Sequence, residues 1–124
     1  WKQGLDEPQR LEAEVTSPSG RQALNELLTM ARATWCHLQS VYLQIEFVRR
    51  RDGISDEHSP DVQTICRQEI KLAHELRHLA MKDSRIGFEA SNHYYYTPND
   101  LLEKIVNVHH VMQVMGIPSP VLAE

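Results

Sequence analysis

From Leu24 to Ile45 the apolar residues Leu24, Leu28, Ala31, Trp35, Leu38, Tyr42 and Ile45 return at alternating steps of four and three. That spacing is a heptad seam, which holds one face of a helix apolar so that it can pack against another helix. It predicts a first helix over about 18–50. Ser17-Pro18 opens it, because a hydroxyl can accept from a free N–H of the first turn and Pro at the first helical position lacks a donor that would be unpaired anyway. Arg49-Arg50-Arg51 suits the negative end of the helix dipole, and Asp52-Gly53 breaks the run. Ser59-Pro60 and Thr97-Pro98 repeat the opening device and predict helices over about 60–82 and 98–115. In the third helix Leu101, Leu102, Ile105, Val108, Met112 and Met115 share a face, and Gly116 with Pro118 stops it. A short helix is expected between Pro8 and Val15.

Long amphipathic helices joined by short connections imply an all-α fold, an antiparallel up-down-up three-helix bundle with a long ordered loop between helices two and three. At ~1.5 Å per residue the first helix is close to ~50 Å long and the second ~35 Å. Part of the first must overhang its partner or meet something outside the bundle.

With 124 residues, 41% of them hydrophobic, the whole chain 1–124 is expected to form one domain around one core. The net charge of −4 and pI near 6.0 remove the electrostatic reason to expect a nucleic acid or an anionic membrane as partner. No stretch approaches the ~20 apolar residues of a membrane span. Trp1-Lys2-Gln3-Gly4 shows no initiator Met and no signal-peptide order, so the expectation is a fragment or module of a larger protein. Cys36 and Cys66 would lie at heights ~10 Å or more apart, beyond disulfide reach. Two unpaired thiols suit a reducing, cytoplasmic compartment, though localisation stays open.

The sharpest local motif is His74-Glu75-Leu76-Arg77-His78, the HExxH pattern of zinc peptidases. Two imidazoles one turn apart can share Zn²⁺ while the Glu acts as base toward bound water. On a helical wheel, however, Ile65, Glu69, Leu72, Leu76, Leu79 and Ala80 fall on one side and His74 and His78 opposite, beside Arg67 and Lys71. Cations on that stripe would repel a dication. A solvated or partner-facing stripe is therefore expected, with no cofactor; zinc, held by His74 and His78 with Glu75 as base, is the alternative. Glu69 sits at the centre of the apolar face, where an unpaired carboxylate is unfavourable, and needs a partner such as Arg85 or a histidine.

The connection from Asp83 to Thr97 is longer than a reversal requires. It carries Arg85, Glu89, Asn92, His93 and three consecutive tyrosines, Tyr94, Tyr95 and Tyr96. Flat apolar rings with polar tips among directed hydrogen-bonding groups are what sugar or polar-peptide recognition uses. The competing expectation is a cap over the bundle end that buries Ile86, Phe88 and some of the tyrosines.

Residues 83–107, DSRIGFEASNHYYYTPNDLLEKIVN, resemble a recurring segment of large bacterial proteins with glycoside-hydrolase-like architecture; a looser likeness extends from about Trp35 to Lys82. In that family the segment lies in a C-terminal helical region that follows a catalytic-type barrel. The resemblance implies that Arg85, Glu89, Asn92, His93 and Tyr94 support or line a site; it does not extend to paired histidines at 74 and 78. The expected function is thus a non-catalytic helical accessory module of a carbohydrate-active protein. Its 83–97 loop would contact a partner, such as the barrel of the same polypeptide, or a sugar-like ligand. A small zinc hydrolase and a structural oligomerisation domain are the alternatives.

Overall fold

The computed structural model describes residues 4, 10–11, 14–89 and 94–118, with the backbone alone at 88, 89, 94 and 95. Its three main helices are α1 (Pro18–Arg51), α2 (Val62–Lys82) and α3 (Pro98–Val114). Between the last two, β1 (Phe88–Glu89) and β2 (Tyr94–Tyr95) form a two-residue antiparallel ladder, pairing Phe88 with Tyr95 and Glu89 with Tyr94. The fold is all-α apart from this small clasp. Of the segment expected to hold a short helix, Arg10 and Leu11 are helical, and most of the rest lies outside the described residues.

Two of the three openings work as their residues suggest. Ser17 accepts from the Gly20 N–H with Pro18 next in line. Thr97 accepts from the Asp100 N–H while the Asp100 carboxylate accepts from the Thr97 N–H, a reciprocal capping box. The second helix starts later than expected. Its cap is Asp61, whose carboxylate accepts from the Thr64 N–H and hydroxyl. Ser59 and Pro60 do not open it, because their carbonyls are turned to the Arg50 guanidinium, which donates to both. Arg50 therefore ties the α1–α2 connection to the end of α1 as well as suiting its dipole.

The pairings run antiparallel. Ala33 and Cys36 of α1 pack with Leu76, Leu79 and Ala80 of α2, Ser40 reaches Glu69, and Arg50 reaches the residues just before α2. On the other flank of α2, Leu101 joins the first of these clusters, and Ile105 and Met112 join Cys66, Ile70 and Ala73. The central helix is α2, with α1 and α3 packed on it. Its wheel holds: Ile65, Glu69, Leu76, Leu79 and Ala80 are buried, while Arg67, Lys71, His74 and His78 lie outside the core. On α3, Leu101, Ile105 and Met112 are buried as expected, but Leu102 faces solvent, as does Met115 just past the helix end. Gly116, at φ +67°, ends the helix, and the next N–H, from Ile117, returns to the Met112 carbonyl.

The expected face of α1 is not the one the bundle buries. Of the seam, only Leu28 is buried; Leu24, Ala31 and Trp35 are half-buried, and Leu38, Tyr42 and Ile45 are exposed. The core side is made instead by Ala33, Cys36, Ser40 and Leu43, again at steps of three and four. Most of these side chains are small, which lets α2 approach closely.

Candidate functional site

The 83–97 loop begins with a local clamp. Asp83 closes α2, accepts from the Arg85 backbone N–H at 3.0 Å, and holds the Arg85 guanidinium at 2.6–3.1 Å. Those hydrogen bonds lower the Asp83 carboxyl to about 2, well below its ordinary range. Arg85 also lies 3.8 Å from Glu26 of α1. Ile86 turns inward and is buried, in keeping with the cap expectation. Gly87 has φ +82°, and a Cβ there would sit 2.5 Å from the Tyr96 carbonyl oxygen. The close approach of the two loop arms therefore requires glycine. The Tyr96 N–H donates to the Gly87 carbonyl at 2.8 Å, and the Tyr96 ring stands edge-on to His37 at 5.3 Å.

These contacts leave a cleft of about 260 Å³ between α1 and the loop, lined by Met30, Thr34, His37, Arg85, Gly87 and Tyr96 among others. Of the residues expected at a site, Arg85 and Tyr96 border this cleft. Glu89, Tyr94 and Tyr95 form the two-residue ladder, described by its backbone alone. Asn92 and His93 lie outside the described residues.

The HExxH motif stands on the outer face of α2, where His74, Glu75 and His78 all lie outside the core. Among the described residues no three His, Cys, Asp or Glu side chains converge to hold a metal ion, so His74 and His78 have no third protein ligand there. Glu75 acts instead on its surroundings: burial chiefly, and then the Glu75 charge, push the Cys36 thiol up to about 12. Cys66 is also shifted upward, by burial and by Glu69. Both cysteines are free and buried.

Glu69 finds a partner that the sequence reading did not suggest. Arg85 is paired with Asp83 instead, and Lys104 of α3 meets Glu69, with Nζ 2.7 Å from Oε2. The Ser40 hydroxyl donates to the same oxygen at 3.1 Å and accepts from Lys104 at 2.6 Å and from Gln44 at 2.9 Å. One partly buried knot thus joins all three helices. Beside it runs an apolar groove of about 360 Å³ between α1 and α3, walled by Leu43, Phe47, Val48, Val108 and Val111. Lysine at position 104 is one turn from Leu101 and Val108 on the apolar face of the third helix, and that misplaced charge was the available signal for the pair.

Among the described residues, the outer face of α1 carries a long run of exposed apolar side chains. Leu24, Leu27, Ala31, Thr34, Leu38, Val41, Ile45 and Val48 succeed one another along it at steps of three and four. Leu27 is 60% exposed, Ile45 53% and Leu38 42%; Val41, Tyr42 and Val48 are exposed beside them. Between Ala23 and Val48 the Asp, Glu, Lys and Arg residues are Glu26, Arg32 and Glu46, and none occupies this stripe or the heptad positions flanking it. Scattered exposed leucines are ordinary; a continuous uncharged stripe along a helix is not.

No helix among the described residues is long and apolar enough to cross a membrane. Comparison with protein-family models, with curated proteins and with solved structures finds no match to this chain.

Proposed function

We propose that this chain is a non-catalytic helical docking module, and that its working surface is the outer face of α1. The observation that carries this reading is the double-faced character of α1: one stripe, of mostly small side chains, is buried against α2 while a second, apolar and uninterrupted by charge, is exposed. Apolar side chains on such a stripe gain roughly 25 cal/mol per Å² when water is removed, and nothing among the described residues removes it. A purely solvent-facing helix surface would carry Glu, Lys and Arg at these positions.

The loop has a supporting part in this reading. The Asp83–Arg85 clamp and the Gly87–Tyr96 closure brace the bundle end against α1, and through Glu26 and His37 they fix the helix whose outer face docks. A sugar-like ligand in the cleft beneath the loop is the second reading, favoured by Tyr96 and Arg85 at its border. It ranks lower because Arg85 is already committed to Asp83 and the Tyr96 ring to His37. The cleft, at about 260 Å³, is also smaller than the ~300 Å³ at which small-molecule pockets usually begin.

The test is made in source cells. The species carrying this chain should run, under native conditions, larger than its own denatured polypeptide, and Ile45→Glu should reduce that native size while the isolated domain keeps its helix content and melting. A native species already no larger than the polypeptide would sink the docking reading.

A further inference from the structure

We infer that the partner of this face is a second copy of the same chain, paired antiparallel along α1; this rests on the docking reading above and adds the identity of the partner. Three observations carry it.

The first is self-complementarity. Placing the two-fold axis between Thr34 and Leu38 sets Leu24 against Val48, Leu27 against Ile45, Ala31 against Val41 and Thr34 against Leu38 of the second copy. The two smallest positions thereby meet larger side chains, as interdigitating layers require. A parallel pairing would set Ala31 on Ala31 and Thr34 on Thr34, leaving the middle of the seam unfilled.

The second is charge. Identical faces repel where they carry like charges, and between Ala23 and Val48 this stripe and its flanks hold no Asp, Glu, Lys or Arg. The cationic end of α1, Arg49-Arg50-Arg51, would be doubled at one end by parallel pairing and is kept at opposite ends by antiparallel pairing.

The third is area. The exposed fractions of Leu27, Leu38, Val41, Tyr42, Ile45 and Val48, applied to residues of their size, amount to on the order of 500 Å² of largely apolar surface per copy. Two copies face to face remove on the order of 1,000 Å² once the half-buried Leu24 and Ala31 are included, which reaches the ~1,000 Å² expected of a specific interface. The stripe is also long enough, ~36 Å from Leu24 to Val48, for more than three heptads.

The experiment uses the full chain in sedimentation equilibrium at micromolar concentration, with Leu38→Glu as the variant. The wild type should sediment at twice 14.3 kDa and the variant at 14.3 kDa, with helix content and melting unchanged. Direction is read from Thr34→Cys and Leu38→Cys: antiparallel pairing gives a covalent dimer only when the two variants are mixed and oxidised. A wild type that stays at the single-chain mass while the variant keeps its fold overturns self-pairing and leaves the docking reading standing. Loss of the fold in Leu38→Glu overturns both, since the stripe would then belong to the interior. Covalent dimers from each cysteine variant alone overturn the antiparallel arrangement.

Discussion

Replacing Lys104 by methionine removes the cation that faces Glu69 and preserves most of the side-chain volume. Glu69 is 5% exposed, and among the described residues its Oε2 takes Lys104 and Ser40 as donors. Breaking a fully buried ion pair from one side costs about 3–5 kcal/mol, because a charge is left in a poorly solvated place. Here the Lys104 side chain is 28% exposed, so water reaches part of the vacated space, and Ser40 still donates. We therefore expect a loss of about 2–3 kcal/mol. For a chain of this length, an unfolding entropy near ~2.1 cal/mol/K per residue makes each kcal/mol worth about 4 °C, so Tm should fall by roughly 8–12 °C. The companion variant Lys104→Met with Glu69→Leu removes both charges and replaces them with apolar groups of similar shape. It should return to within about 1 kcal/mol of the wild type, or above it. Calorimetric or denaturant unfolding of the four proteins of this cycle reads both numbers. If Lys104→Met melted with the wild type, or if the two substitutions simply added, the pair would not be the buried, coupled contact described.

Three further outcomes follow from the loop and the thiols. Gly87→Ala forces a Cβ to within 2.5 Å of the Tyr96 carbonyl oxygen at φ +82°. It should destabilise by more than about 1 kcal/mol and speed hydrogen exchange at the Tyr96 amide; unchanged exchange there would contradict the closure. Cys36, raised to about 12 by burial and Glu75, should stay unreactive toward a disulfide reagent at pH 8, where its thiolate fraction is on the order of 10⁻⁴. Because its folded pKa lies above the ordinary value of 9.0, its contribution to stability is complete below pH 9 and is lost between about 9 and 12. Cys36→Ala should therefore make the alkaline loss of stability shallower, and an identical pH profile in the two proteins would refute the shift.

Local chemistry determined much of this molecule. Ser17-Pro18 and Thr97-Pro98 start helices by means that act within one turn, the accepting hydroxyl and the missing donor. Gly116 stops α3 for a reason confined to its own φ. The wheel of α2 was legible because it has a single apolar side, with Arg67, Lys71, His74 and His78 across from it. Three decisions needed the tertiary structure. Ser59 could cap a helix as well as Asp61, and only the reach of Arg50 to the Ser59 and Pro60 carbonyls gives the role to Asp61. Glu69 required a cation, but its partner stands on another helix far along the chain, where only packing could choose Lys104 over Arg85. Above all, α1 carries two stripes that can pack, and periodicity ranks the more apolar one first. The bundle buries the other, because Ala33, Cys36 and Ser40 allow α2 to come close while Leu38, Tyr42 and Ile45 would hold it off. Periodicity thus determined that α1 must pack on something, and the tertiary structure decided which face was left over for a partner.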